Sequence, residues 1–294
     1  MERPLVSVIC LCYNHARFVE EAIASVLRQT HPAVQLVVVD DASTDNSVQV
    51  IRESMEDHPD ITFLPLLKNV GNCRAFNKGF ALSTGTFIID LAADDVLKPN
   101  RMKVGVDAFA SLEPDYGVHF SDAELIDESG NHLGYHSDRF PHASIPQGDI
   151  YRELISRYFI NSPTMMMRRS VLEKLGGYDE SLAYEDFDFW IRSSREWQYA
   201  YTPEPLVRRR MLKNSMSGGQ YRKKSIQLVS TFRVCEKILQ LNRTMDERKA
   251  LSKRIGYEMK RAARLQEWGL ALDYFKLLLR NRTSTLRHFN TSTL

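Results

Sequence analysis

The first hundred or so residues alternate four times between a short apolar run and an amphipathic stretch, and that alternation limits the fold more than any composition figure does. Val6 to Leu11, Val34 to Val39, Ile61 to Leu67 and Phe87 to Leu91 read as strands. Between the first two, Phe18, Val19, Ala22, Ile23, Val26 and Leu27 recur at helical spacing. Ser43 or Thr44 can cap the next helix, with Asp45 in its first turn, and Asn69 to Leu82 supplies a turn and a further helix. Apolar strands joined through helices predict right-handed crossovers and a doubly wound, mostly parallel sheet.

Ligands of such sheets bind outside the carboxyl ends of the strands. Asn14 follows the first strand, Asp40 and Asp41 end the second, and Asp94 and Asp95 follow the fourth, so all open onto one rim. Adjacent carboxylates repel and raise each other's pKa, which makes a divalent cation with oxygen ligands their natural partner. The plainer reading is a surface turn in which Asp94 or Asp95 caps the helix begun at Pro99. No GxGxxG follows the first strand and no GxxxxGK[ST] occurs, so phosphates would be held through carboxylate-bound Mg²⁺ or Mn²⁺.

Past a helix ending near Leu112, Tyr116 to Ser121 reads as a strand and 127–148 as loops or a hairpin. His132, His136 and His142 in that stretch offer either a metal site or solvated loop histidines, and the lack of a fixed helix or strand spacing favours the second. Pro163 to Arg168 reads as a strand, and Ser170 to Leu175 as a short helix ended by Gly176 and Gly177. In YEDFDFWIRSSR, Phe187, Trp190 and Ile191 form one buried helical face, with Glu185 and Asp186 at the helix N-terminus. Taken alone, these acids compensate the helix dipole, and Asp188 with Arg192 makes a surface i,i+4 pair.

VSVICLCYNHARFVEEAIASVLRQT, VVVDDASTDNS, the Asp94–Asp95 pair and RRSVLEKLGGYDESLAYEDFDFWIR together, over about residues 4–217, resemble family 2 glycosyltransferases of the GT-A fold. The resemblance implies inverting transfer of a sugar from a nucleotide-diphosphate donor, a UDP-sugar foremost, to an acceptor hydroxyl with Mg²⁺ or Mn²⁺. It places Tyr13 and Asn14 in the base pocket, Asp41 on the base or ribose, Asp94 on the ribose and Asp95 on the metal. It makes Asp186 the catalytic base with Glu185 beside it.

Three positions depart from the family's pattern: Ala92 in LAADD where an acid is common, Phe76 where an arginine commonly precedes Asn77, and Leu212 where a histidine often precedes the Ser215 to Ser217 motif. Arg74 and Lys213, or Arg210, are the cations left to hold donor phosphates. The departures keep open a second reading, a glycosyltransferase-like protein that binds nucleotide or glycan without catalysing transfer.

With 294 residues, 43% hydrophobic, the chain can bury a large core, divided as a transferase domain over 1–219 and a helical extension over 220–294. Residues 221–294 carry 17 Lys and Arg against 6 Asp and Glu, whereas the rest carry 22 against 31. A basic tail on an acidic body suggests an anionic partner. Packing on the main domain is the plain role of its helices, and peripheral contact with an anionic membrane the other. Arg208, Arg209 and Arg210 read either as a solvated edge or as phosphate contacts. The four cysteines match no zinc or disulfide spacing, and no signal peptide, membrane-length run or QxxRW pattern occurs. The expectation is a cytoplasmic enzyme, in part at the inner membrane face, acting on a glycan or lipid-linked acceptor in polysaccharide or glycolipid assembly. No nucleic-acid module is seen.

Overall fold

The computed structural model describes residues 3–140, 144–212 and 222–283. In chain order its elements are β1 (Val6–Cys12), α1 (Val19–Leu27), β2 (Val34–Asp40), α2 (Ser47–Ser54), β3 (Thr62–Pro65), α3 (Asn72–Leu82), β4 (Phe87–Ala92), β5 (Val96–Leu97) and α4 (Arg101–Ala110). Then follow β6 (Tyr116–Ile126), β7 (His132–Tyr135), α5 (Tyr151–Ser156), β8 (Met166–Arg168), α6 (Arg169–Leu175), α7 (Asp186–Ser193) and β9 (Gln198–Arg210). Three helices close the described chain: α8 (Ile226–Leu241), α9 (Met245–Arg264) and α10 (Trp268–Thr283). The chain divides into two compact units, one holding the sheet and the other 149–158, 182–195 and the C-terminal helices.

In the first unit the strands run β3-β2-β1-β4-β8-β6-β9-β5, with β7 beside β6. β1 lies parallel to β2 and β4, and β2 to β3, as the alternation predicts. β1 is buried throughout because helices cover it, and Val19, Ala22, Ile23 and Val26 of α1 share its core with Val6, Val8, Cys10, Ile89 and Leu91. Each buried Val, Ile or Leu among these contributes about 1.5–3 kcal/mol. α3 approaches the sheet so closely that a Cβ on Gly79 would lie 2.6 Å from Ile9 Cγ2. The cysteines are free and buried, and burial pushes the Cys12 thiol up to about 11.

Several expectations change. β3 is shorter than Ile61 to Leu67 because the chain past Pro65 leaves the sheet to reach α3, and β6 is longer than Tyr116 to Ser121 because β9 pairs along it to Arg210. α2 begins at Ser47, and the Ser43 hydroxyl donates to Asp40 Oδ2 at 2.5 Å instead of capping a helix. His136 is buried, not solvated, with Nε2 3.1 Å from the Phe159 carbonyl; burial lowers its pKa. His132 is exposed and contacts Glu124 at 3.2 Å, and His142 lies outside the described residues.

In the second unit α7 is fixed by its neighbours. Asp188 is not a surface residue: it is 1% exposed and accepts from Arg192 Nε at 2.6 Å and from Lys237 Nζ of α8 at 2.5 Å. The segment leading into α7 is held as well, since Ala183 N–H donates to Ser230 Oγ at 2.9 Å and Tyr184 Oη lies 2.7 Å from Thr231 Oγ1. Behind α7 the Arg254 guanidinium sits 5.0 Å from the Phe187 ring and donates to the Ile155 carbonyl at 2.9 Å. Thr244 and Glu247 form a capping box at the start of α9, and Asn281 of α10 donates to the Arg248 carbonyl at 2.9 Å. Among the described residues no helix is long and apolar enough to cross a membrane.

Candidate active site

The ends of β1, β2 and β4 are level: Cys12 pairs with Asp40, and Leu11 with Ala92. The residues just beyond that row are Tyr13 and Asn14, Asp41, and Asp94 and Asp95, so five of the expected site residues share the carboxyl rim of the sheet.

Small polar side chains lock the loops after β1 and β2 together. Asn14 adopts φ 58°, a left-handed conformation that Asn tolerates, and its Oδ1 accepts from Thr44 N–H at 2.7 Å. Its own N–H donates to Ser43 Oγ at 2.9 Å. Asp45 accepts from Ala16 N–H and from Ser47; burial opposes its charge, but these hydrogen bonds outweigh it and hold the carboxyl below the ordinary value. Next to this rigid frame the Tyr13 side chain is 45% exposed, presenting a face on which a planar base can stack.

Asp41 is nearly buried, and its oxygens accept from Val70 N–H at 2.7 Å and Gly71 N–H at 2.9 Å. It thereby fixes the start of α3, which carries Arg74, whose Nε lies 3.4 Å from Glu180 at an exposed position. Phe76 is fully buried and stacks on Tyr178 at 4.1 Å, while Asn77 brackets the same tyrosine, donating to its carbonyl at 2.9 Å. An arginine at position 76 would have to bury its charge there. Tyr178 Oη in turn donates to Asp90 at 3.1 Å, which accounts for that acid within β4.

The acidic pair does not cap α4; it sits on a largely buried turn closed by the Asp95 N–H, which donates to the Ala92 carbonyl at 3.0 Å. The cap position of α4 is Asn100, and Asp95 is 4% exposed with Oδ1 accepting from Arg210 N–H at 2.8 Å. Burial first, and then the Asp94 charge, push the Asp95 carboxyl up to about 8, against the pull of Arg210 and Arg209. Asp94 is half-buried, with Oδ1 3.8 Å from His15 Nδ1.

Arg210 was a candidate phosphate contact, and the structure commits it elsewhere. Its Nε donates to the Asp94 carbonyl at 3.0 Å, one Nη to Glu21 at 2.6 Å, and the other to the Asp127 and Glu128 carbonyls at 3.2 and 3.3 Å. Arg208 is similarly engaged, donating to the Gly130 carbonyl at 2.7 Å. Sequence reasoning missed this clamp, because its partners are scattered along the chain. We expect Arg210→Met, which leaves Glu21 and three backbone carbonyls without their donor, to destabilise the fold by about 1–3 kcal/mol, with Arg210→Lys between it and wild type. Thermal melts of the three proteins check this.

Glu185 and Asp186 lie in the second unit, at the start of α7. Lys213 and the Ser215 to Ser217 motif lie outside the described residues.

The chain belongs to glycosyl transferase family 2, whose pattern residues 7–176 match. An uncharacterized glycosyltransferase of Nostoc sp. is 36% identical over 171 residues, 58% of this chain and 52% of that protein, so the match spans about half the relative's length. Among solved structures, S. aureus TarS 1-349 in complex with UDP-GlcNAc superposes with a TM-score of 0.70 at 17% identity, over 94% of this chain and 81% of that one. The mannosyltransferase PcManGT from Pyrobaculum calidifontis, in complex with GDP-Man and Mn²⁺, gives 0.62 at 16% identity, over 97% and 89%. The fold is GT-A, a mixed α/β sheet followed by C-terminal helices.

Proposed function

We propose that this protein is an inverting glycosyltransferase that moves a sugar from a nucleotide-diphosphate donor, a UDP-sugar foremost, to an acceptor hydroxyl on a glycan or lipid-linked glycan. The observation that carries the reading is the acidic pair on the carboxyl rim of the parallel strands, with Asp95 buried and tethered by Arg210 N–H in a family 2 chain. The solved GT-A structures that match it hold UDP-GlcNAc in one case and GDP-Man with Mn²⁺ in the other.

A divalent ion fits the residues present. Among the described residues no cluster of three or more metal-ligating side chains occurs, but Mg²⁺ and Mn²⁺ at phosphate sites need only one or two carboxylates, with phosphate and water supplying the rest. Asp95 would hold the ion with Asp94 beside it, and the bound ion would stabilise charge on the departing diphosphate. In this reading Tyr13 stacks on the base and Asn14 keeps its loop in place. Asp41 faces the base or ribose while anchoring α3, Asp94 faces the ribose, and Arg74 and Lys213 attract the phosphates.

The transfer is one displacement. An acceptor oxygen forms a bond to the anomeric carbon as the bond from that carbon to the diphosphate oxygen breaks, which inverts the centre. The acceptor proton passes to the Asp186 carboxylate, which acts as general base. Glu185 adds negative charge beside it. The setting is the cytoplasmic side of a membrane, in polysaccharide or glycolipid assembly.

A thermal-shift and hydrolysis screen of nucleotide sugars with and without Mn²⁺ tests this. One donor is expected to raise the melting temperature by about 3 °C or more, as ligand at roughly 100 times its Kd does in a chain of this size, and to be hydrolysed slowly only with metal. A protein that binds a donor yet never turns it over, with any acceptor, would be the non-catalytic alternative.

A further inference from the structure

The outward faces of α9 and α10 differ in a way that the transferase reading does not use. On α10, Trp268, Leu272, Phe275 and Leu279 are 67%, 53%, 47% and 46% exposed. At helical spacing they fall within an arc of about 60°, while Tyr274, Leu277 and Asn281 are buried on the opposite side. An ordinary amphipathic helix has polar residues where these four stand. On α9 the exposed residues Lys249, Lys253, Tyr257, Lys260 and Arg264 also share one narrow arc, and it is basic. At the end of α9 a cavity of about 520 Å³ is lined by Tyr257, Lys260, Arg261, Arg264 and Leu265. Three cations around an open dent suit an anionic headgroup.

We infer that α9 and α10 dock the protein on an anionic lipid surface, the Trp268–Leu272–Phe275–Leu279 stripe entering the headgroup boundary and the α9 cations contacting lipid phosphates. Charge decides between this occupant and a second copy of the chain. Residues 221–294 carry 17 basic against 6 acidic side chains, so a symmetric pairing of this region would set like charges together, whereas an anionic bilayer is complementary. Basic side chains beside exposed aromatic and aliphatic ones are what interfacial helices use, the apolar area and the charge attraction acting together.

The test is co-sedimentation of the full chain with vesicles of phosphatidylcholine alone, or with about one-third phosphatidylglycerol, with light scattering for oligomeric state. Wild type is expected to bind the anionic vesicles at least about tenfold better than the neutral ones, and to be released in about 0.5 M salt, where the screening length falls to roughly 4 Å. Leu272→Glu with Phe275→Glu is expected to abolish binding, and Lys260→Gln with Arg264→Gln to weaken it about 30-fold, melting temperature and donor hydrolysis staying unchanged. If the glutamate pair melts early, Leu272→Ser with Phe275→Ser takes its place. Equal binding to both vesicle types, no binding by folded wild type, or a wild-type dimer that Phe275→Glu dissociates would each overturn the inference.

Discussion

Asp186→Asn is expected to lower kcat by about 10²–10⁴-fold, the usual contribution of a positioned general base, while KM for the nucleotide sugar changes by no more than about twofold. The replacement is nearly isosteric and lies at the start of α7, whose Phe187, Trp190 and Ile191 face stays buried, so the fold should be kept. Asn retains a polar group but cannot take the acceptor proton, so the loss should fall on turnover and spare donor affinity. Steady-state kinetics with saturating acceptor gives both constants. Equal kcat in the two proteins would remove Asp186 from the chemistry.

Asp95→Asn should have two opposite effects. Donor-dependent turnover and the Mn²⁺-induced rise in melting temperature should be lost, because a neutral amide is a poor ligand for a hard cation. The metal-free protein should nonetheless become more stable near pH 8. The folded-state value of about 8 lies above the ordinary carboxyl value of 3.8, so between those limits the native state holds more protons than the unfolded chain. Stability therefore falls as pH rises through that window, and Asn, still able to accept from Arg210 N–H, removes the slope. In chelator the variant should melt about 2 °C above wild type at pH 8, the value of roughly 1 kcal/mol in a chain of this size, and the difference should vanish near pH 4. A melting series across pH, with and without Mn²⁺, reads both effects.

Local patterning carried the fold because the strands that matter are short and buried. Val6 to Cys12 has few polar residues to confuse its reading, and parallel pairing follows from the helices between strands. The acidic rim was legible for the same reason: once strand ends are placed, the side chains just past them share an edge. What sequence could not show was long-range pairing. The bond between Asp95 and Arg210 spans 115 positions, and nothing near Arg210 marks its N–H as the donor. Asp188 was misread as a surface residue because its i,i+4 partner is local, whereas Lys237, 49 positions on, draws it into the interior. Phe76 looked like a lost arginine until Tyr178 was seen stacked on it.

The way Asp188 and Lys237 bind α7 to α8 sets where this protein can be cut and recombined. Breaking a buried ion pair from one side costs about 3–5 kcal/mol, so a shortened form ending after β9 would keep every strand of the sheet and still lose the support of the helix that begins with Asp186. A chimaera that exchanges the segment leading into α7 has the same constraint. Exchanging 182–195 alone would import side chains shaped for another scaffold, and the practical unit of exchange is discontinuous, that segment together with α8 and α9.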